Sequence, residues 1–272
     1  NIINETSINN TSKQATSFPV KDSNLVAEKS VPSALNSTKF EWFIPDLSHV
    51  APMKEQFLEQ AFASLDPRKD LTESELKKTQ QIVEKLVPLL KKKKWDELVN
   101  FVENDADDPV EAANILINVA ANFDAPDELF TTLANNGGEL IPTALLTLVQ
   151  KDRSDTVIKL ENYGATLNSE VLKDTNVLHF AMLSPLSPKS FEFLIDKVDI
   201  IDNVGQLGVD IVGLSIINAD TNADYISYYL DQLIVRGASI KPQHVELMKG
   251  LRKDNAVIYE EIIEVTPELS VN

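Results

Sequence analysis

The chain has 272 residues, 43% of them hydrophobic, with eight Gly and thirteen Pro. That supports a substantial core or a long stack of small ones and argues against collagen-like or globally disordered character. Cysteine is absent, which removes disulfides, thiolate metal sites and Cys nucleophiles together. The net charge of −17 opposes binding to nucleic acid, and no apolar run approaches the roughly 18–20 residues that insert across a bilayer.

Residues 1–39 are rich in Asn, Ser and Thr, with apolar residues scattered without period. This reads as a polar tether, because little apolar burial offsets the entropy of ordering it. The chain opens on Asn1 and not Met, which fits an exported or periplasmic protein after loss of a signal peptide, with a cytoplasmic location as the alternative. Residues 40–80 read as an anchor and capping segment. Phe40-Glu-Trp-Phe-Ile-Pro45 is a dense aromatic cluster that would fasten the tether's end to the first helices, an exposed docking motif being the other reading. Residues 52–65 have amphipathic helical spacing. Thr72-Glu-Ser-Glu75 then forms a capping-box pattern that opens a long helix through about Leu90. The run Lys91 to Lys94 resembles a nucleic-acid patch by itself, but at a helix end it reads as cations meeting the dipole.

Beyond residue 50 the apolar residues recur at helical spacing and strand-like alternation is scarce, so an all-α protein is predicted. Residues 81–272 divide into helix-turn-helix units. The clearest is 143–168, flanked by weaker copies at 87–108, 112–138, 176–200 and 210–240. A last pair, 243–251 and 255–264, lacks the closing loop and reads as a cap. The positions that match Gly164 are Asp105, Gly137, Lys197 or Val198, and Gly237, an irregular period near about 33 residues.

These units resemble ankyrin repeats. The family opens its first helix with Thr-Pro-Leu-His-x-Ala, and Asn176-Val-Leu178-His179-Phe-Ala181 keeps the Leu, His and Ala. The family closes on Val-Val-x-x-Leu-Leu-x-x-Gly-Ala-Asp-Val-Asn, and Thr156-Val-Ile-Lys-Leu160-Glu-Asn-Tyr-Gly164-Ala165-Thr-Leu-Asn168 follows it closely. Only one of the five units keeps the His, and none keeps the whole opening tetrapeptide. The resemblance spans about residues 80–265. It implies an α-solenoid of stacked helix pairs, hairpin fingers reduced to plain loops, and a protein-binding concave face. It also implies that His179 bonds backbone in the adjoining turn.

Signals for catalysis are sparse. His49, His179 and His244 lie on different units, and no zinc-protease, nucleophile-elbow or phosphate-loop pattern occurs. Gly205-Gln-Leu-Gly208 reads as an inter-repeat turn. Asp220-Thr-Asn222-Ala-Asp224 mimics the first ligands of a calcium loop. However, Tyr225 stands where such a loop needs Gly, so the stretch reads as a helix N-cap through Asp224 or its neighbour. No catalytic residue, metal or cofactor is expected.

Charge supplies the functional expectation. Residues 67–94 hold nine Lys or Arg against four acids, whereas residues 95–272 hold eleven against thirty, a balance of −19. Such a surface steers basic proteins inward in a salt-dependent way. The expected function is therefore non-enzymatic binding of a basic partner protein by a monomer. The expected contact residues are the loop acids Asp105, Asp107, Asp108, Glu139, Asp174, Asp199 and Asp202. An exported inhibitor or immunity protein is the sharpest form of this reading, and a structural scaffold is the alternative.

Overall fold

In the computed structural model, residues 71–205 and 208–272 are described. The tether, the Phe40 cluster and the helix expected over 52–65 lie outside them. The chain is predominantly helical, and no β-strand forms among the described residues beyond an isolated bridge between Leu172 and Thr175. No described helix is long and apolar enough to cross a membrane. The repeat region expected as one body falls into two compact units, divided between Val171 and Leu172. The division lies in residues 162–176, which contain no helix.

The first unit holds α1 (Glu73–Lys91), α2 (Trp95–Asn100), α3 (Pro109–Ala120), α4 (Asp127–Asn135), α5 (Pro142–Gln150) and α6 (Ser154–Glu161). The expected capping box starts α1: Thr72 Oγ1 accepts from the Glu75 amide at 3.1 Å, and Glu75 Oε1 accepts from the Thr72 amide at 2.9 Å. Helices pack in hairpins, α1 on α2, α3 on α4 and α5 on α6, and the hairpins meet through α1 with α3, α2 with α4 and α4 with α6. Helix α3 is buried on every side from Glu111 to Ala120. A helix buried all round belongs at the centre of a unit, and α3 is mostly apolar with Asn114 and Asn118 as buried polar exceptions.

The second unit holds α7 (Val177–Ala181), α8 (Pro188–Lys197), α9 (Ile211–Ile217), α10 (Ile226–Val235), α11 (Pro242–Asp254) and α12 (Ala256–Val265). The same packing recurs: α7 with α8, α9 with α10 and α11 with α12, then α7 with α9, α9 with α11 and α10 with α12. The short helices α7 and α9 are almost wholly buried, whereas α8, α10 and α12 bury one face each, through residues such as Phe191, Leu233 and Ile262. Each fully buried Leu or Phe contributes about 1.5–3 kcal/mol. A single hairpin buries too few of them to stand alone, so the neighbours must stack.

Backbone chemistry sets how each helix ends. Gly164 is left-handed (φ +92) and closes α6 with paired bonds, its own amide to Glu161 O at 3.1 Å and that of Ala165 to Leu160 O at 3.2 Å. Gly137 and Gly237 repeat this turn after α4 and α10. The two expected equivalents that lack glycine end differently. Asp105 finishes a wide turn, Phe101–Asp105, in which the Ala106 amide reaches Phe101 O at 2.8 Å. Val198 is extended, with φ −121 and ψ 150. Within hairpins, Lys93 (φ 58) and Asp152 (φ 61) take the left-handed place without being glycine. Lys93 follows the end of α1, so the lysine run does sit at a helix C-terminus.

Because no sheet among the described residues takes them up, the buried amides and carbonyls between hairpins need side-chain partners. Buried asparagines supply these. In the first unit, Asn118 Nδ2 donates to Glu139 O at 2.9 Å and Asn118 Oδ1 accepts from the Ile141 amide at 2.9 Å, while Asn114 Oδ1 accepts from the Glu139 amide at 2.7 Å. In the second unit, Asn222 accepts from the Leu186 amide at 2.9 Å and donates to Ser184 O at 3.0 Å, and Asn218 donates to Met182 O at 3.1 Å.

Two outcomes follow. Asn118→Ala strips two buried loop groups of partners and should cost about 2–4 kcal/mol in urea denaturation. Lys93→Gly relieves a left-handed penalty of about 1–2 kcal/mol, less the extra entropy glycine loses, and should raise the denaturation midpoint modestly. An unchanged or lower midpoint for Lys93→Gly would contradict the turn assignment.

Candidate functional site

The expected contact acids gather into two sets of loops, one in each unit. In the first unit, Asp105, Asp107 and Asp108 are exposed on the segment between α2 and α3. Asp108 also caps α3, accepting from the Glu111 amide at 3.1 Å. Glu139 is exposed on the neighbouring loop, its backbone clamped by Asn114 and Asn118. Glu103 accepts from Asn136 Nδ2 at 2.9 Å, and a Cβ on Gly137 would meet Val110 at 3.1 Å, so the two loops lie against each other. Neither Asp105 nor Asp107 makes an ion pair among the described residues.

Beyond residue 94 the basic side chains of the first unit are few, and each makes an internal bond. Residues 95–171 hold fifteen acids and only three basic side chains, Lys151, Arg153 and Lys159. Arg153, just before α6, and Lys159 on α6 both hold Asp127 at the start of α4, at 2.8 and 2.7 Å, and Thr156 donates to the same carboxylate. Lys151 Nζ donates to Asn122 O at 3.3 Å. Hydrogen bonds from Lys159 and Thr156, with Arg153 beside them, lower the Asp127 carboxyl from 3.8 to about 2 against the opposing effect of burial. On α1, Lys78 pairs with Glu111 at 3.1 Å.

The second unit brings Asp174, Asp199 and Asp202 onto adjoining loops. Asp174 is left-handed (φ 55) beside the Leu172–Thr175 bridge, and Asp199 O accepts from Asn176 Nδ2 at 2.9 Å. A Cβ on Gly205 would stand 2.5 Å from Lys173 O, so this glycine serves close loop packing, as expected for an inter-repeat turn. Asp202 departs from its expected role. Its carboxylate accepts from Ser239 Oγ at 2.5 Å and Lys241 Nζ at 3.1 Å, so it is an internal tie and not a free contact group. Burial opposes its ionisation, but these bonds outweigh burial and lower the carboxyl.

Lys241 also reaches Asp210, which is 2% exposed, at 2.8 Å. Asp210 caps α9 by accepting from the Gly213 amide at 2.8 Å and takes His244 Nε2 at 2.7 Å. Burial again opposes ionisation, but His244, Lys241 and the Gly213 amide hold this carboxyl well below the ordinary range. His244 Nδ1 accepts from the Lys241 amide at 2.9 Å. His179 has the same posture: Nδ1 accepts from the Asn176 amide at 3.2 Å, three residues earlier. Both rings are buried. The terminal pair thus keeps the histidine turn that the sequence showed only at His179. The visible signal was Lys241-Pro242-Gln243-His244, which retains the Pro and His of the opening tetrapeptide.

The calcium-like stretch is occupied otherwise. Asn222 is buried and holds the turn at residues 184–186, and no group of three His, Asp or Glu suited to a metal occurs among the described residues. The expected cap is also absent: α10 begins after Tyr225 with no side-chain cap bond, so Asp224 does not cap it. Comparison of the chain with protein-family models, with curated proteins and with solved structures gives no match.

Two acid-sensitive windows follow. Burial lowers His179 from 6.5 to about 4. The folded state therefore resists its protonation, and its contribution is complete above pH 6.5 and declines by about 3 kcal/mol as pH falls toward 4. Asp127 is lowered from 3.8 to about 2, so its contribution, at most about 2 kcal/mol, is complete above pH 3.8 and is lost as pH falls toward 2. Urea titrations across pH should show both declines. His179→Gln should flatten the first and Asp127→Asn the second.

Proposed function

We propose that the chain is a non-enzymatic protein-binding module, a divergent ankyrin-like solenoid whose acidic loops grip a basic partner protein. The carrying observation is the acid excess of the first unit, eighteen acids against ten basic residues over 71–171, with Asp105 and Asp107 exposed and without ion pairs among the described residues. Charge of one sign on adjoining loops raises encounter rates with an oppositely charged protein by about 10- to 1,000-fold at low salt. Exposed acids of this kind contribute little to internal stability, so their surplus is available to a partner.

The ankyrin-like reading is supported by three features that recur within the units. Helix hairpins pack first helix on first helix and second on second in the second unit. Left-handed glycines close α4, α6 and α10. Histidine turns open α7 and α11. The two described histidines are committed to backbone, Asp210 and burial, which favours a structural role over acid–base chemistry.

The test compares wild type with the triple variant Asp105→Asn, Asp107→Asn, Glu139→Gln. Immobilised wild type should retain basic proteins from extract. For any protein retained, surface plasmon resonance should show association at least about tenfold slower in the variant or when salt rises severalfold. Association indifferent to both salt and the substitutions would refute the proposal.

A further inference from the structure

The second unit contains a groove that no expected contact residue occupies. An open cavity of about 410 Å³ lies between the turn after α7 and the turn after α9, lined by Pro185, Leu186, Asp220, Asn222, Asp224 and Tyr225 among others. That volume falls toward the lower end of the roughly 300–1,000 Å³ typical of ligand sites.

Its walls are fixed from beneath. Asn222, 5% exposed, bonds both Leu186 N and Ser184 O and so locks the two turns together. Tyr229, fully buried, donates to Leu186 O at 2.5 Å and packs against Tyr225 with ring centroids 6.0 Å apart. Tyr225 itself is 43% exposed, so the groove includes a half-open aromatic ring on a rigid base.

The charge in the groove is not explained by internal bonding. Asp224 neither caps α10 nor forms an ion pair among the described residues. Asp220 takes one hydrogen bond, from Asn255 Nδ2 to Oδ1 at 3.2 Å. Two helix starts, those of α8 and α10, adjoin the groove, each worth about half a positive charge. One of these is already softened, since Ser187 Oγ accepts from the Ser190 amide. Against about one positive charge in total stand two full carboxylates, so the balance favours a cation.

We infer that this groove receives one arginine side chain of the partner, with the guanidinium against the Tyr225 ring and hydrogen-bonded to Asp220 and Asp224. The inference rests on the proposal of a basic protein partner and names its point of entry. Arginine fits better than lysine because its flat, weakly hydrated fork both stacks on an aromatic face and meets carboxylates through several N–H groups. A metal ion fits poorly, since two carboxylates with Asn222 already committed fall short of the six to eight oxygens calcium takes.

The test uses the full chain, with hexa-arginine and hexalysine peptides as probes, by isothermal titration at low salt. Asp220→Asn with Asp224→Asn should weaken hexa-arginine binding about tenfold or more, and Tyr225→Leu about two- to fivefold. Glu260→Gln with Glu264→Gln removes the same charge from exposed positions on α12 and should change it less than about twofold. Hexalysine should bind several-fold more weakly than hexa-arginine to wild type and lose little in Tyr225→Leu. Unchanged melting temperatures confirm that each variant folds. If the two double variants weaken binding equally, or if the two peptides bind alike, the groove has no such role. A basic protein whose association still depends on the first-unit loops would leave the broader proposal standing after that failure. If hexa-arginine fails to bind wild type, the groove inference falls. If no basic protein is retained either, the broader proposal falls with it.

Discussion

Everything else in this fold depends on satisfying buried backbone between helix hairpins without a sheet. The loops pass over hydrophobic helices, and each stranded amide or carbonyl left there would cost about 1–3 kcal/mol. Asn114 and Asn118 in the first unit, and Asn176, Asn218 and Asn222 in the second, take up those groups directly. An asparagine amide offers a donor and an acceptor in one plane, as a peptide does, and so can bond a loop's backbone as a neighbouring strand would. The loops are thereby held in place, and the exposed acids on them acquire defined positions.

That arrangement separates two uses of charge. Asp127, Asp202 and Asp210 are spent internally, each binding two or more donors across elements. Asp105 and Asp107 stand in solvent. The same residue type therefore fastens the structure in one place and faces outward in another, and burial distinguishes the two roles.

Much of the helical plan was legible because helices such as α8, α10 and α12 bury one face at helical spacing, and because Thr72 with Glu75, Gly137, Gly164 and Gly237 are local signals read by local geometry. Side-chain assignments were less legible. Asp202 looked like a loop acid, but its fate is decided by Ser239 and Lys241, 37 and 39 residues away. Asp224 looked like a cap, yet the helix starts one residue beyond its reach, and the charge is left facing the groove. The division between Val171 and Leu172 falls in residues 162–176, which contain no helix, inside a stretch whose repeat pattern runs on without a break. The partners of His244 are set by Asp210, 34 residues away, which local pattern does not reveal.

The tie among Asp202, Lys241, Asp210 and His244 has a consequence for how the chain comes apart. In a structure where hairpins touch mainly their neighbours, unfolding can begin at an end and travel inward. The pair α11 and α12 is the last hairpin among the described residues and packs on the hairpin before it. One fastening to the preceding hairpin is the buried Asp210 carboxylate, which cannot part from Lys241 without a steep electrostatic penalty. Release of α11 and α12 from α9 therefore exposes a buried charge in a single step, which ties this hairpin's opening to that of its neighbour.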